Sequence, residues 1–316
     1  MFELNFNRFF SQHRTYIMGV AMMCVMLFHQ CFLSGRVWEL FHQCGHWGVD
    51  VFLVVSGFGI ASSLSKNSRE TYFIHRINRL VPSCILFGLI YTYFSIVVFH
   101  AAVLRRLYFM LPFSLEHWYI FAIVCYYLLA PYICQILNRH KIGLLCCVVM
   151  LSYMMLYIKT KSDVSIIWPL DWTIERFPAF CFGMIIFYLG KWKLNMRYWV
   201  ISAILACLLA YLMMFKINMF GSRTYCNQIF MLLIPAFCVF CGLLEKTTDF
   251  LRISNVFKWL GKYSLQIYLA HELCFKLVKK YIIAPPEMQF IIAILLSILY
   301  AYMAYFLVGK MKILKR

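Results

Sequence analysis

The sequence predicts an all-α membrane protein, a bundle of about ten transmembrane helices with both termini in the cytoplasm. Three observations carry that reading. Of the 316 residues, 64% are hydrophobic and only 13% charged, and the mean hydropathy is +0.77, which leaves too little polar surface for a soluble domain. The apolar residues come in runs of about twenty, the length a helix needs to cross a bilayer. The basic residues fall between these runs, where they anchor span ends, instead of forming one patch. The net charge of +18 is therefore membrane anchoring and not a nucleic-acid footprint.

Windows of about 19 residues place spans at roughly 15–34, 46–65, 81–103, 117–137, 142–158, 174–190, 197–215, 226–244, 262–279 and 288–309. The chain enters the first through "FELNFNRFFSQHRTY", a polar-aromatic stretch unlike a cleavable signal. The span itself, "YIMGVAMMCVMLFHQCF", is apolar until His29 near its far end. The second begins in "GHWGVDVFLVVSGFGIASSL", residues 45–64, with one carboxylate, Asp50, and His46 beside it. The third follows "YFIHRINRLVPSCILF", where His75, Arg76 and Arg79 precede Pro82 and Lys66 and Arg69 lie upstream. Proline inside the third and eighth spans is tolerated better there than in soluble helices.

The fourth opens in "SLEHWYIFAIVCYYLLAP" with Glu116, His117, Trp118 and Tyr119. The sixth, "ERFPAFCFGMIIFYLG", starts with Glu175 and Arg176, a neighbouring pair that reads as a mutually neutralised interfacial anchor. The ninth, in "WLGKYSLQIYLAHELCF", carries His271 and Glu272 inside an apolar run. With the N-terminus inside, 19 Lys and Arg fall on the cytoplasmic side and 11 on the other, which sets the orientation. The fourteen cysteines, Cys146, Cys147, Cys207, Cys238 and Cys241 among them, lie mostly inside apolar runs and act as small hydrophobes. None has zinc-ligand spacing backed by histidines, so no metal is expected.

An ionisable residue within a span marks a candidate functional site. A lone His29 would read as a packed histidine, but Asp50 and His46 come from the next span through a short connection. A histidine beside a carboxylate is the usual arrangement of a general base. Arg76 and Arg79, three apart, share a helix face. They read either as an ordinary positive-inside cluster or as an anion site for a phosphorylated cytosolic ligand. Trp118 and Tyr119 suit an interfacial belt, whereas Glu116 and His117 are less expected there and fall on the outer side with His29.

Taken in order, these stretches resemble the acyltransferase family 3 membrane proteins over roughly residues 15–309. The most specific parts are "GVDVFLVVSGFGI", the Arg-x-x-Arg-x-x-Pro of "HRINRLVP", "HWYIFAIVCYYLLAP" and "LGKYSLQIYLAHE". The resemblance implies a single transmembrane acyltransferase domain over residues 1–316 of a multi-pass protein of the cell (inner) membrane. It implies transfer of an acyl group, usually acetyl, from cytosolic acyl-CoA to a hydroxyl of a cell-envelope or exported glycan or glycolipid. His29 falls on the family's catalytic histidine, and Gly48, Asp50, Ser56 and Gly57 match the second-span signature. Asp50 would then orient His29, while Arg76, Arg79 and Arg14 would hold the phosphates of acetyl-CoA. Glu116, His117, Trp118 and His271 would face the acceptor. No metal and no nucleic-acid partner are implied.

One position departs from the family pattern, which commonly has an arginine eleven residues before the histidine. Here that residue is Met18. Eleven residues span about 16 Å and nearly three turns, so Met18 shares a face with His29, while Arg14 lies one turn further away. Two other functions fit buried ionisable residues: a carrier or flippase with a proton relay, and a non-catalytic scaffold in glycan assembly. The carrier lacks the repeated pair of broken spans that inverted-repeat transporters show.

Overall fold

The computed structural model describes residues 6–98, 118–139, 168–189, 223–249 and 252–310, with Gly143, Met150 and Met154. Every element among these residues is a helix. In order they are α1 (Phe6–His29), α2 (Arg36–Cys44), α3 (Trp47–Leu64), α4 (Arg69–Val97), α5 (Trp118–Asn138), α6 (Trp168–Leu189), α7 (Arg223–Asp249), α8 (Ile253–Lys262), α9 (Ser264–Tyr281) and α10 (Pro286–Lys310). Five stretches among them are long and apolar enough to cross a membrane: Trp47–Leu64, Arg69–Val97, Trp118–Asn138, Leu170–Leu189 and Pro286–Gly309. The expected span at 197–215, most of that at 142–158, and the site candidates Glu116 and His117 lie outside the described residues.

Helix limits differ from hydropathy limits for a physical reason. The third span was expected from residue 81, yet α4 begins at Arg69. Ser68 caps it: its backbone is extended and its hydroxyl accepts from the Thr71 N–H at 3.2 Å. The charged segment holding Arg76 and Arg79 is therefore continuous with the span, and hydropathy alone sees only the part that meets lipid. Pro82 sits inside α4, where the Ser83 hydroxyl donates to the Arg79 carbonyl at 3.3 Å in the affected turn. Two connections that sequence left unstructured contain the short helices α2 and α8.

The described helices group into two compact units. The first takes the described parts of Met1–Phe28, Gln43–Ser62 and Pro178–Lys262. Backbones come close at the crossing of α3 and α6. A Cβ on Gly57 would collide with the Phe180 carbonyl, and one on Gly183 with the Val54 carbonyl. Reciprocal glycines let the two backbones touch, as small residues do where membrane helices associate. Around this crossing Phe58 packs against Phe10 and Phe187, with ring centroids 4.5 and 5.6 Å away. A polar clamp ties α1, α7 and α8: buried Glu245 accepts from His13 at 2.6 Å and from Lys258 at 2.8 Å.

The second unit takes the described parts of His29–His42, Ser63–Phe177 and Tyr263–Arg316. Its frame is the antiparallel hairpin of α9 and α10, turned at Pro285 and Pro286, the latter at the first position of α10, where a missing N–H costs nothing. Tyr263 packs on Tyr305 across the hairpin, centroids 4.7 Å apart. α4 lies against it, joined by the Gln266 amide to the Ser83 hydroxyl (3.3 Å) and by Lys280 to the Val98 carbonyl (2.6 Å). α5 joins α4 through the Tyr72 hydroxyl, which donates to the Tyr127 carbonyl at 3.1 Å. Tyr126 reaches the Thr173 carbonyl of α6 at 2.5 Å. Exposed apolar side chains repeat every four residues along α4 (Ile85, Leu89, Tyr93, Val97) and α10 (Ile291, Leu295, Leu299). Such single-helix stripes are costly in water and suit contact with lipid chains.

Candidate active site

The site is built in the second unit, where the last residue of α1 meets the middle of α9. Gln30, fully buried, fixes the end of α1. Its side-chain oxygen accepts from the Phe32 and Leu33 N–H groups at 3.0 and 2.8 Å, and its amide donates to the Leu33 carbonyl at 3.0 Å. That knot ends the helix at His29 and fixes the backbone from which the imidazole projects.

Two consecutive residues of α9 meet the two nitrogens of His29. His271 Nε2 lies 3.2 Å from His29 Nδ1, with the rings edge to face at 4.9 Å. Glu272 Oε1 lies 3.5 Å from His29 Nε2, and its other oxygen is 3.7 Å from Lys276 one turn on. The tautomers follow from the backbone. His271 Nδ1 lies 2.7 Å from the Tyr268 carbonyl, which can only accept, so that nitrogen carries a proton and donates it. In the neutral ring Nε2 then holds a lone pair, which accepts from His29 Nδ1–H. The lone pair of a neutral His29 is thereby set on Nε2, the nitrogen that faces Glu272. A carboxylate there is suited to hold the imidazolium formed when His29 takes a proton, and so is the C-terminal end of α1. His271 is buried, whereas the His29 and Glu272 side chains keep 28% and 38% of their surface exposed.

Aromatic rings line the approach along α5, α6 and α9. Tyr268 packs on Tyr119 at 4.7 Å and lies 5.7 Å from the His271 ring. Trp118, at the start of α5, faces Trp172 of α6 at 5.6 Å, and the Arg176 guanidinium lies over Trp172 at 5.7 Å. Phe275 stands perpendicular to His271 at 6.0 Å and touches Phe32 at 5.8 Å.

The expected site residues divide between the units. His29, His271, Trp118, Arg76 and Arg79 belong to the second. Arg76 lies between two rings, 5.4 Å from the Tyr72 centroid and 5.5 Å from that of Tyr127, and its Nε has no hydrogen-bond acceptor among the described residues. Arg79, one turn on, is exposed. Asp50 and Arg14 belong to the first unit. Asp50 is buried in the first turn of α3, where a carboxylate complements the helix N-terminus. The Arg14 guanidinium rests on Gly59, whose missing side chain leaves it room. Met18 is part of the apolar core of α1. Sequence reasoning left Glu272 out of the site and missed Gln30. Glu272 stood beside His271 as a second intramembrane ionisable group; Gln30 offered only its position after His29.

Five helices among the described residues, long and apolar enough to span a bilayer, point to a multi-pass membrane protein, and the histidine–histidine–carboxylate cluster of α1 and α9 gives it groups suited to proton transfer. Residues 16–306 match the acyltransferase domain family, and the chain belongs to acyltransferase family 3. It is a membrane acyltransferase. No curated protein and no solved structure matches it.

Proposed function

We propose that the protein moves an acyl group, acetyl by family resemblance, from cytosolic acyl-CoA to a hydroxyl of a cell-envelope or exported glycan, with His29 as general base, in the bacterial inner membrane. The observation that carries the reading is His29 held between His271 and Glu272 with its lone pair on Nε2. The acceptor hydroxyl gives its proton to Nε2 as its oxygen attacks the thioester carbon; an oxygen–acyl bond forms and the carbon–sulfur bond breaks. His29 then returns the proton to the leaving coenzyme A thiolate. Glu272 stabilises the intervening imidazolium, and His271 keeps the ring oriented by accepting its Nδ1–H. No metal takes part in this route.

Arg76 and Arg79 would receive the coenzyme's phosphates; planar guanidiniums match phosphate oxygens, and the Arg76 Nε without an acceptor among the described residues supports the reading. Trp118 and Trp172 offer flat apolar faces of the kind on which sugar rings stack, with Glu116 and His117 beside Trp118 in sequence.

The test follows label from acetyl-CoA into glycan in membrane vesicles that hold the protein and its native acceptor. Removing a general base costs about 10²–10⁴-fold in rate, so His29→Ala should fall to background and Glu272→Gln should lose most of the transfer. Arg76→Ala should raise the acetyl-CoA concentration required. Undiminished transfer in His29→Ala would overturn the mechanism.

A further inference from the structure

We propose that His29, His271 and Glu272 form a transition-metal site fitted to one zinc ion, and that the ion competes with the proton that His29 must accept. One ligand atom from each of the three residues lies within 4.8 Å of the others. The nearest pair, His29 Nδ1 and His271 Nε2, is 3.2 Å apart. Two nitrogens bound to one zinc at about 2.0–2.1 Å with tetrahedral angles stand about 3.3 Å apart. The separation therefore matches two nitrogens on one ion, which replaces the proton between them once each ring tilts to aim its lone pair off the line that joins them.

His271 is already prepared as a ligand. Its Nδ1–H donates to the Tyr268 carbonyl, which fixes the ring and leaves Nε2 deprotonated, the outer hydrogen bond that metal-binding histidines usually have. Glu272 Oε1 lies 3.5 Å from His29 Nε2 and its other oxygen 3.7 Å from Lys276; a turn of this partly exposed side chain brings the carboxylate to the third position, and water takes the fourth. Two imidazoles, one carboxylate and an open position are a zinc ligand set and a poor one for magnesium or calcium, which take oxygen ligands. No other group of three such residues stands this close among the described residues. Binding moves the His29 proton from Nδ1 to Nε2, so the nitrogen that must accept the substrate's proton already carries one.

Binding rests on this geometry alone; the competition clause also rests on His29 as base. Untagged, EDTA-treated protein in detergent is equilibrated with zinc chloride, desalted and assayed for zinc by mass spectrometry. One equivalent is expected, with His271→Ala reduced to a tenth or less and magnesium chloride producing no retained metal. Cobalt substituted for zinc should give ligand-field bands without the sulfur charge-transfer bands that thiolates would add. Equal zinc in wild type and His271→Ala, or thiolate bands, overturns the site. Should His271→Ala fail to fold, His29→Gln at the half-exposed helix end serves the same purpose. In the vesicle assay zinc should suppress transfer and EDTA restore it. Zinc bound at one equivalent with unchanged transfer overturns the competition and leaves the site. Absent transfer at every zinc level overturns the acyl-transfer reading and leaves the zinc count standing.

Discussion

Replacing Glu245 by Ala should cost the protein about 2–4 kcal/mol of stability, nearly all of it from one of its two partners. The carboxylate joins α7 to α1 through His13 and to α8 through Lys258. The His13 contact is 2.6 Å between side chains only 12% and 8% exposed. A buried hydrogen bond to a charged group is worth about 1.5–3 kcal/mol. The Lys258 contact is 2.8 Å, but its ammonium side is 38% exposed, so solvent screens it and it adds about 0.2–1 kcal/mol. Reversible unfolding in mixed micelles of Glu245→Ala, His13→Ala, Lys258→Ala and the two double variants separates these terms. The His13–Glu245 coupling should exceed the Lys258–Glu245 coupling by a factor of two or more. A His13 coupling below about 0.5 kcal/mol, or a larger Lys258 coupling, refutes the claim that burial decides which contact holds the clamp.

Gly183→Ala should destabilise by about 1–3 kcal/mol, because the new Cβ lies inside 3.0 Å of three Val54 backbone atoms and the crossing must open. Gly57→Ala strains the same crossing, so the double variant should lose less than the sum; a Gly183→Ala protein as stable as wild type would refute the crossing. At the end of α7, Asp249 accepts from the Ser254 hydroxyl and from Lys258, which together hold its carboxyl below the usual aspartate range. A lowered folded-state value means the contribution is complete above the unfolded value and disappears as pH falls through the folded one. Ser254→Ala should therefore be less stable than wild type at neutral pH, with the gap closing on acidification below the ordinary carboxylate range. Melting curves whose difference stays constant down to strongly acid pH would refute that linkage.

Much of the fold was legible because length and hydropathy are local quantities. The spans at 46–65, 117–137 and 288–309 lie within two residues or so of α3, α5 and α10. Boundaries failed where the helix continues into polar sequence, as at Arg69 and Phe6, since capping and tertiary contact set those ends and hydropathy does not. The site was half legible. His29 and His271 each stood out as ionisable groups in apolar runs, but they are 242 residues apart and no local pattern pairs them. The short loop to the second span drew attention to Asp50 as the partner of His29. The ring nitrogens of His29 meet α9, to which no short connection in the sequence points. Gln30 was silent because a glutamine near the end of a span reads as interfacial polarity until its three bonds to Phe32 and Leu33 are seen.

The pairing of His271 with Glu272 also follows from helix geometry. Consecutive residues on an α-helix project about 100° apart, and the two nitrogens of an imidazole point to different sides of the ring. One helix passing His29 can therefore offer a neutral acceptor to Nδ1 and a carboxylate to Nε2 only with adjacent residues at that level. A slip of one residue, about 1.5 Å of rise with a 100° turn, would take both groups away. The axial position of α9 must then be fixed, and its polar contacts with α4 lie on either side of the site. Gln266 meets Ser83 one turn before His271, and Lys280 meets Val98 nearly three turns after it. The same α4 carries Arg76 and Arg79. A single helix thus makes the polar contacts on either side of the proton-transfer groups and bears the arginines proposed for the donor.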